Sequence, residues 1–137
     1  MTIAADSVEV RRAAEWLVAS CRQCEVPQTH IERLELCLHE ALANVITHGG
    51  DAAIAAPIRM RLEVRRDPQC SAGVTVIDAG RAFDPLSVPD RETPKTLAET
   101  EPGGLGLVMI RSCADWLDYR HEDGCNHLTF GARWDAP

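Results

Sequence analysis

The feature that most constrains this fold is that its period-two segments come in adjacent pairs. Ile58, Met60, Leu62 and Val64 alternate with Arg59, Arg61, Glu63 and Arg65, which marks a half-buried strand with one polar face. Asp67-Pro68 starts a turn, and Val74-Thr75-Val76-Ile77-Asp78 reads as the antiparallel partner. A second pair runs near Leu117–Glu122 and Asn126–Trp134, joined by a turn at Asp123-Gly124, with Leu128, Phe130, Ala132 and Trp134 alternating. Strands paired in this way fit poorly with a parallel strand–helix–strand nucleotide fold, in which a crossover follows each strand.

Other segments carry the helical period. From about Ser7 to Cys24, Val10, Ala14, Leu17, Cys21 and Cys24 recur every three or four residues until Pro27 breaks the pattern. Thr29-His30-Ile31-Glu32 has the form of a capping box, and the helix behind it carries Ile31, Leu34, Leu38, Leu42 and Val45 as far as His48, before Gly49-Gly50. Residues 84–102 hold four prolines and many charges, a loop of uncommon length, and a third helix follows from about Leu105 to Ala114. The expected architecture is a single domain over residues 1–137, a two-layer α/β sandwich with helices covering one sheet face.

Composition narrows the class. A 45% hydrophobic, 26% charged chain of this length buries a core without staples. Its net charge of −7 gives no whole-molecule attraction to nucleic acid, though it leaves a basic protein partner open. No apolar run approaches a membrane span and the first residues do not read as a signal peptide, so a soluble, cytoplasmic protein is expected. The six cysteines then read as reduced structural thiols; Cys21 and Cys24 form a CxxC with no second CxxC to complete a zinc site.

Three motifs carry candidate chemistry. Glu40, Asn44 and His48 stand four residues apart, so on a helix they drift only about 40° per step and form one polar stripe. A carboxylate there can orient or deprotonate a nucleophile, and an amide oxygen can ligate Mg²⁺; alone, such a stripe is more often a solvated helix face. Asp78-Ala79-Gly80 puts an acid at a strand end, where it can accept from a purine's exocyclic amine or simply form a turn. Gly103-Gly104-Leu105-Gly106-Leu107 opens the third helix, where free N–H groups suit phosphate oxygens, although flexible loop ends also use glycine.

In this order and spacing the three motifs resemble the Bergerat-fold (GHKL, histidine-kinase-like ATPase) superfamily, and within it the small anti-sigma factor serine/threonine kinases of bacterial partner-switching systems. The resemblance rests on Glu40-Ala41-Leu42-Ala43-Asn44-Val45-Ile46-Thr47-His48-Gly49, on Asp78-Ala79-Gly80-Arg81-Ala82-Phe83-Asp84-Pro85-Leu86, on Gly103-Gly104-Leu105-Gly106-Leu107-Val108-Met109-Ile110-Arg111, and on the tail from Ala114 to Thr129.

It implies an α+β Bergerat sandwich with a mixed, mostly antiparallel sheet, binding ATP and Mg²⁺. Glu40 then matches the general base, Asn44 the Mg²⁺ ligand, and His48 the point where the same helix face nears the phosphates. Asp78 matches the adenine-reading acid, supported by Gly80, while Gly104 and Gly106 match phosphate-contacting glycines. Gly103, Leu105, Leu107 and Phe83 fall in the matched motifs and are expected at the nucleotide, with Asn126 near the adenine where relatives often carry threonine.

Residues 84–102 correspond to the ATP lid. Arg91, Lys95 and Arg111 are candidates for a cation at the γ-phosphate, or are ordinary surface charges. The partners implied are an anti-anti-sigma (STAS-type) antagonist as substrate and a sigma factor or other regulated protein. Arg11 and Arg12 on the first helix are either a docking contribution or a solvated face, and relatives commonly form homodimers. A nucleotide-gated binding module with little catalysis is the alternative; Glu40 favours catalysis, since a pure binder needs no base there.

Overall fold

A computed structural model describes residues 1–86 and 104–137. In chain order its elements are β1 (Thr2–Ile3), α1 (Ser7–Gln23), α2 (Gln28–His48), α3 (Asp51–Ala55), β2 (Ile58–Arg65), β3 (Cys70–Asp78), α4 (Gly104–Cys113), β4 (Trp116–Glu122) and β5 (Cys125–Trp134). The five strands lie in the order β1-β2-β3-β5-β4, and every pairing is antiparallel. The two-layer sandwich expected from the paired strands is thus the one observed, and the sheet that the resemblance implied to be mixed is antiparallel throughout the described residues. The β4–β5 hairpin closes through Asp123 and Gly124, both at positive φ (52° and 72°), the backbone a two-residue hairpin turn needs to match strand twist.

Helix starts follow local chemistry, with one departure from expectation. Asp6 caps α1, its Oδ1 accepting from the Val8 N–H at 2.9 Å. The capping box expected at Thr29 does not form. Pro27 is the N-cap of α2, and its carbonyl accepts from the His30 and Ile31 N–H groups at 2.9 and 3.1 Å. Thr29 consequently lies inside the first turn, its hydroxyl 3.3 Å from His30 Nδ1, and Gln28 donates to Glu32 at 3.0 Å. A proline lacks only an N–H that a helix start leaves unpaired anyway, so beginning the helix two residues earlier loses nothing. The short elements β1 and α3 were not expected: two and five residues are too few to display a period.

The core lies between α2 and the inner face of the sheet. Leu34, Leu38 and Leu42 of α2 meet Val74, Val76, Phe130 and Ala132, all essentially inaccessible, while α1 and α4 both pack on α2. Each such side chain contributes about 1.5–3 kcal/mol on burial. On the opposite face Trp116 lies over Gly131 and Gly73; a Cβ at Gly131 would stand 2.0 Å from the indole, so only glycine fits there. Arg133 stacks on the same indole, 4.7 Å from the ring centroid. Its N–H donates to Asp115 at 2.7 Å, and Asp115 also pairs with Arg33 at 2.6 Å. Arg33 further donates to the Cys113 carbonyl at 2.8 Å, tying α2 to the C-terminal end of α4.

All six cysteines are free thiols. Burial pushes the Cys21 thiol up to about 11 and that of Cys37 up to about 12, so both stay protonated and behave as small apolar side chains. Among the described residues no helix is long and apolar enough to cross a membrane.

Candidate functional site

The polar stripe of α2 faces the start of α4. Glu40, Asn44 and His48 are all half-buried, because the stripe borders the face that packs on the sheet. Against it stands the first turn of α4. A Cβ on Gly106 would lie 2.8 Å from Glu40 Oε2 and 3.4 Å from Asn44 Oδ1, so the absence of a side chain at position 106 lets the helix start approach the stripe. That turn carries N–H groups with no carbonyl partner inside the helix and the positive end of the helix dipole, facing a carboxylate and an amide.

The turn after β3 closes the other end of the stripe. A Cβ on Gly80 would stand 3.0 Å from both Cα and O of Gly49 and 2.7 Å from Asp78 Oδ1. The Arg81 N–H donates to the Gly49 carbonyl at 3.1 Å, and its guanidinium donates to the His48 carbonyl at 3.3 Å. His48 therefore takes its place through its backbone, at the junction of α2 with the Asp78–Arg81 turn.

Asp78 and Asn126 face each other across the β3–β5 ladder, and both are buried. A buried carboxylate needs donors. Asp78 Oδ1 accepts from the Gly80 N–H at 2.8 Å and from Asn126 Nδ2 at 3.1 Å. Among the described residues both bonds fall on Oδ1, so Oδ2 retains capacity to accept from a ligand. Asn126 Nδ2 also reaches the Gly80 and Arg81 carbonyls at 3.2 and 2.9 Å. Its Oδ1 accepts from the Tyr119 hydroxyl at 2.5 Å and from the Phe83 N–H at 3.4 Å.

The structure thus brings Glu40 and Asn44 to Gly106, and links His48 through Gly80 and Arg81 to Asp78 and Asn126. Leu107 is buried, whereas the Phe83 ring is about half exposed and joins the group by its backbone. Gly104 and Leu105 open α4. Gly103, Arg91, Lys95 and all but the first three residues of the expected lid (84–102) lie outside the described residues. Arg111 places its guanidinium on the Pro85 carbonyl at 2.5 Å. Arg11 and Arg12 pair with Glu15 and Glu9 at 3.0 and 2.6 Å. Tyr119 carried no motif in the sequence; only the register of β4 on β5, which puts residues 119 and 126 on the same face, reveals it.

A buried acid at a strand end, a glycine-started helix and an acid–amide stripe define a histidine-kinase-like ATPase domain, a class that binds ATP. Residues 3–131 match the family model described as "Histidine kinase-like ATPase domain", and the chain belongs to that family. It is also similar to the serine/threonine-protein kinase BtrW of Bordetella bronchiseptica, with 33% identity over 96 residues. That match covers 70% of this chain and 66% of the relative.

Proposed function

We propose that this chain is an ATP-dependent serine/threonine protein kinase of a bacterial partner-switching system, which phosphorylates an anti-anti-sigma (STAS-type) antagonist and also holds a sigma factor or other regulated protein. The observation that carries the reading is the convergence of Glu40 and Asn44 on Gly106 at the start of α4. That spot unites a base, a hard oxygen donor and the N–H groups of a helix start, which are the parts phosphoryl transfer asks of a protein.

Bound Mg–ATP would supply the phosphoryl group and the charge neutralisation at its oxygens. The residues present fit it: with no side chain at position 106 the start of α4 comes close to Glu40 and Asn44, and Asn44 offers an oxygen to the metal. Asp78 accepts from the adenine 6-amino group, Gly104 and Gly106 donate N–H groups to phosphate, and Glu40 takes the proton of the substrate hydroxyl. Arg133, Arg33 and Asp115 contribute only by holding α4 and the sheet together.

The test is incubation of the protein with γ-labelled ATP, Mg²⁺ and an anti-anti-sigma domain. Label should pass to a serine or threonine of that domain, and Glu40→Gln should reduce transfer by about 100-fold or more while ATP still binds. ATP binding by the wild type without any transfer identifies instead a nucleotide-gated binding module.

A further inference from the structure

We propose that Tyr119 is a specificity-determining positioning residue, which aims the base-reading carboxylate of Asp78 by pinning Asn126. The inference rests on the proposed nucleotide-binding role of Asp78 and deepens it.

The geometry runs through one amide. Asn126 presents Nδ2 to three acceptors, Asp78 Oδ1 and the carbonyls of Gly80 and Arg81, at 3.1, 3.2 and 2.9 Å. An amide has two N–H bonds, so these three acceptors share them, and small rotations of the side chain redistribute the bonds among them. The opposite edge of the amide decides the rotation. There Oδ1 meets the Tyr119 hydroxyl at 2.5 Å, in a half-buried place where such a bond is strong.

Tyr119 also accepts from the Phe83 N–H at 3.2 Å, so the same hydroxyl holds the chain just beyond the Asp78–Arg81 turn. Burial, with the negative charges of Asp84 and Asp78 nearby, raises the phenol above its ordinary range, although the Phe83 N–H works the other way. The hydroxyl is therefore a donor at neutral pH. Removing it leaves Asn126 Oδ1 with the longer Phe83 contact alone, and Asp78 with a partner free to turn.

Because Asp78 offers a carboxylate oxygen, the group it discriminates is a donor on the base. Tyr119 therefore acts on the 6-amino group and not on the phosphates, whose proposed donors lie at α4. The experiment is calorimetric titration of wild type and Tyr119→Phe with Mg–ATP and with the Mg complex of purine riboside triphosphate, which lacks the 6-amino group. The variant should bind ATP on the order of fivefold more weakly, the worth of one hydrogen bond, with affinity for the analogue unchanged, while the thermal midpoint falls by only a few degrees for the lost hydroxyl. Equal weakening toward both nucleotides, or an unaltered preference for ATP, overturns the assignment of Tyr119. A wild type that binds both nucleotides equally overturns the role of Asp78 as reader of the base, and with it this inference.

Discussion

The two ends of the β3–β5 ladder differ sharply although they belong to the same pair of strands and the same sheet face. Along the inner face Ala72, Val74 and Val76 pair with Ala132, Phe130 and Leu128, and almost all of these are sealed from water. Two residues beyond Val76 the pattern gives way to Asp78 opposite Asn126, just as buried but polar. The apolar end needs only volume and shape, whereas the polar end needs every donor and acceptor placed. The proposed base-reading residues sit where the second, stricter requirement applies.

Three substitutions or titrations probe that contrast. The largest effect is expected at the apolar end: Phe130→Ala empties a site with no solvent access and should destabilise by about 3–5 kcal/mol, read by urea unfolding. At the polar end Asp78→Asn should leave stability within about 1 kcal/mol but weaken ATP by roughly 10- to 100-fold in a binding titration, because a charged acceptor is lost. A 6-oxo nucleotide should lose less, since the new amide can donate. Should both nucleotides weaken alike, the polar end is merely structural.

The smallest effect concerns the thiols beneath the ladder. Cys21 and Cys37 titrate near 11 and 12 in the folded protein, above the usual ~8.5 of an unfolded thiol. Their contribution is complete below that unfolded value and is lost as pH rises through the folded ones. The unfolding free energy should thus be nearly flat to about pH 8 and fall by pH 9 by roughly 1 kcal/mol per thiol, and Cys37→Ala should remove its share of the slope.

How much of this was legible beforehand depended on scale. The alternation at Ile58–Arg65 and the stripe at Glu40, Asn44 and His48 are properties of single segments, and both read correctly as secondary structure. The capping box at Thr29 misled because Pro27 competes for the same helix start, and a motif cannot report its competitor. Asn126 was placed by resemblance, but its bonds to Asp78 require the register between strands 48 residues apart. Tyr119 was illegible for the same reason: nothing near it in sequence marks it, and only the neighbouring strand gives it a partner.

The turn at Asp123-Gly124 has a consequence for how such a pocket can change. Tyr119 and Asn126 sit on the two arms of one hairpin, and both look inward only while the loop between them is two residues long. One inserted residue that shifted the pairing by a step would send one arm's side chains to the far side of the sheet. The placing of Tyr119 beside Asn126 is thereby tied to the length of a solvent-exposed two-residue loop, whose positive-φ backbone restricts its composition as well.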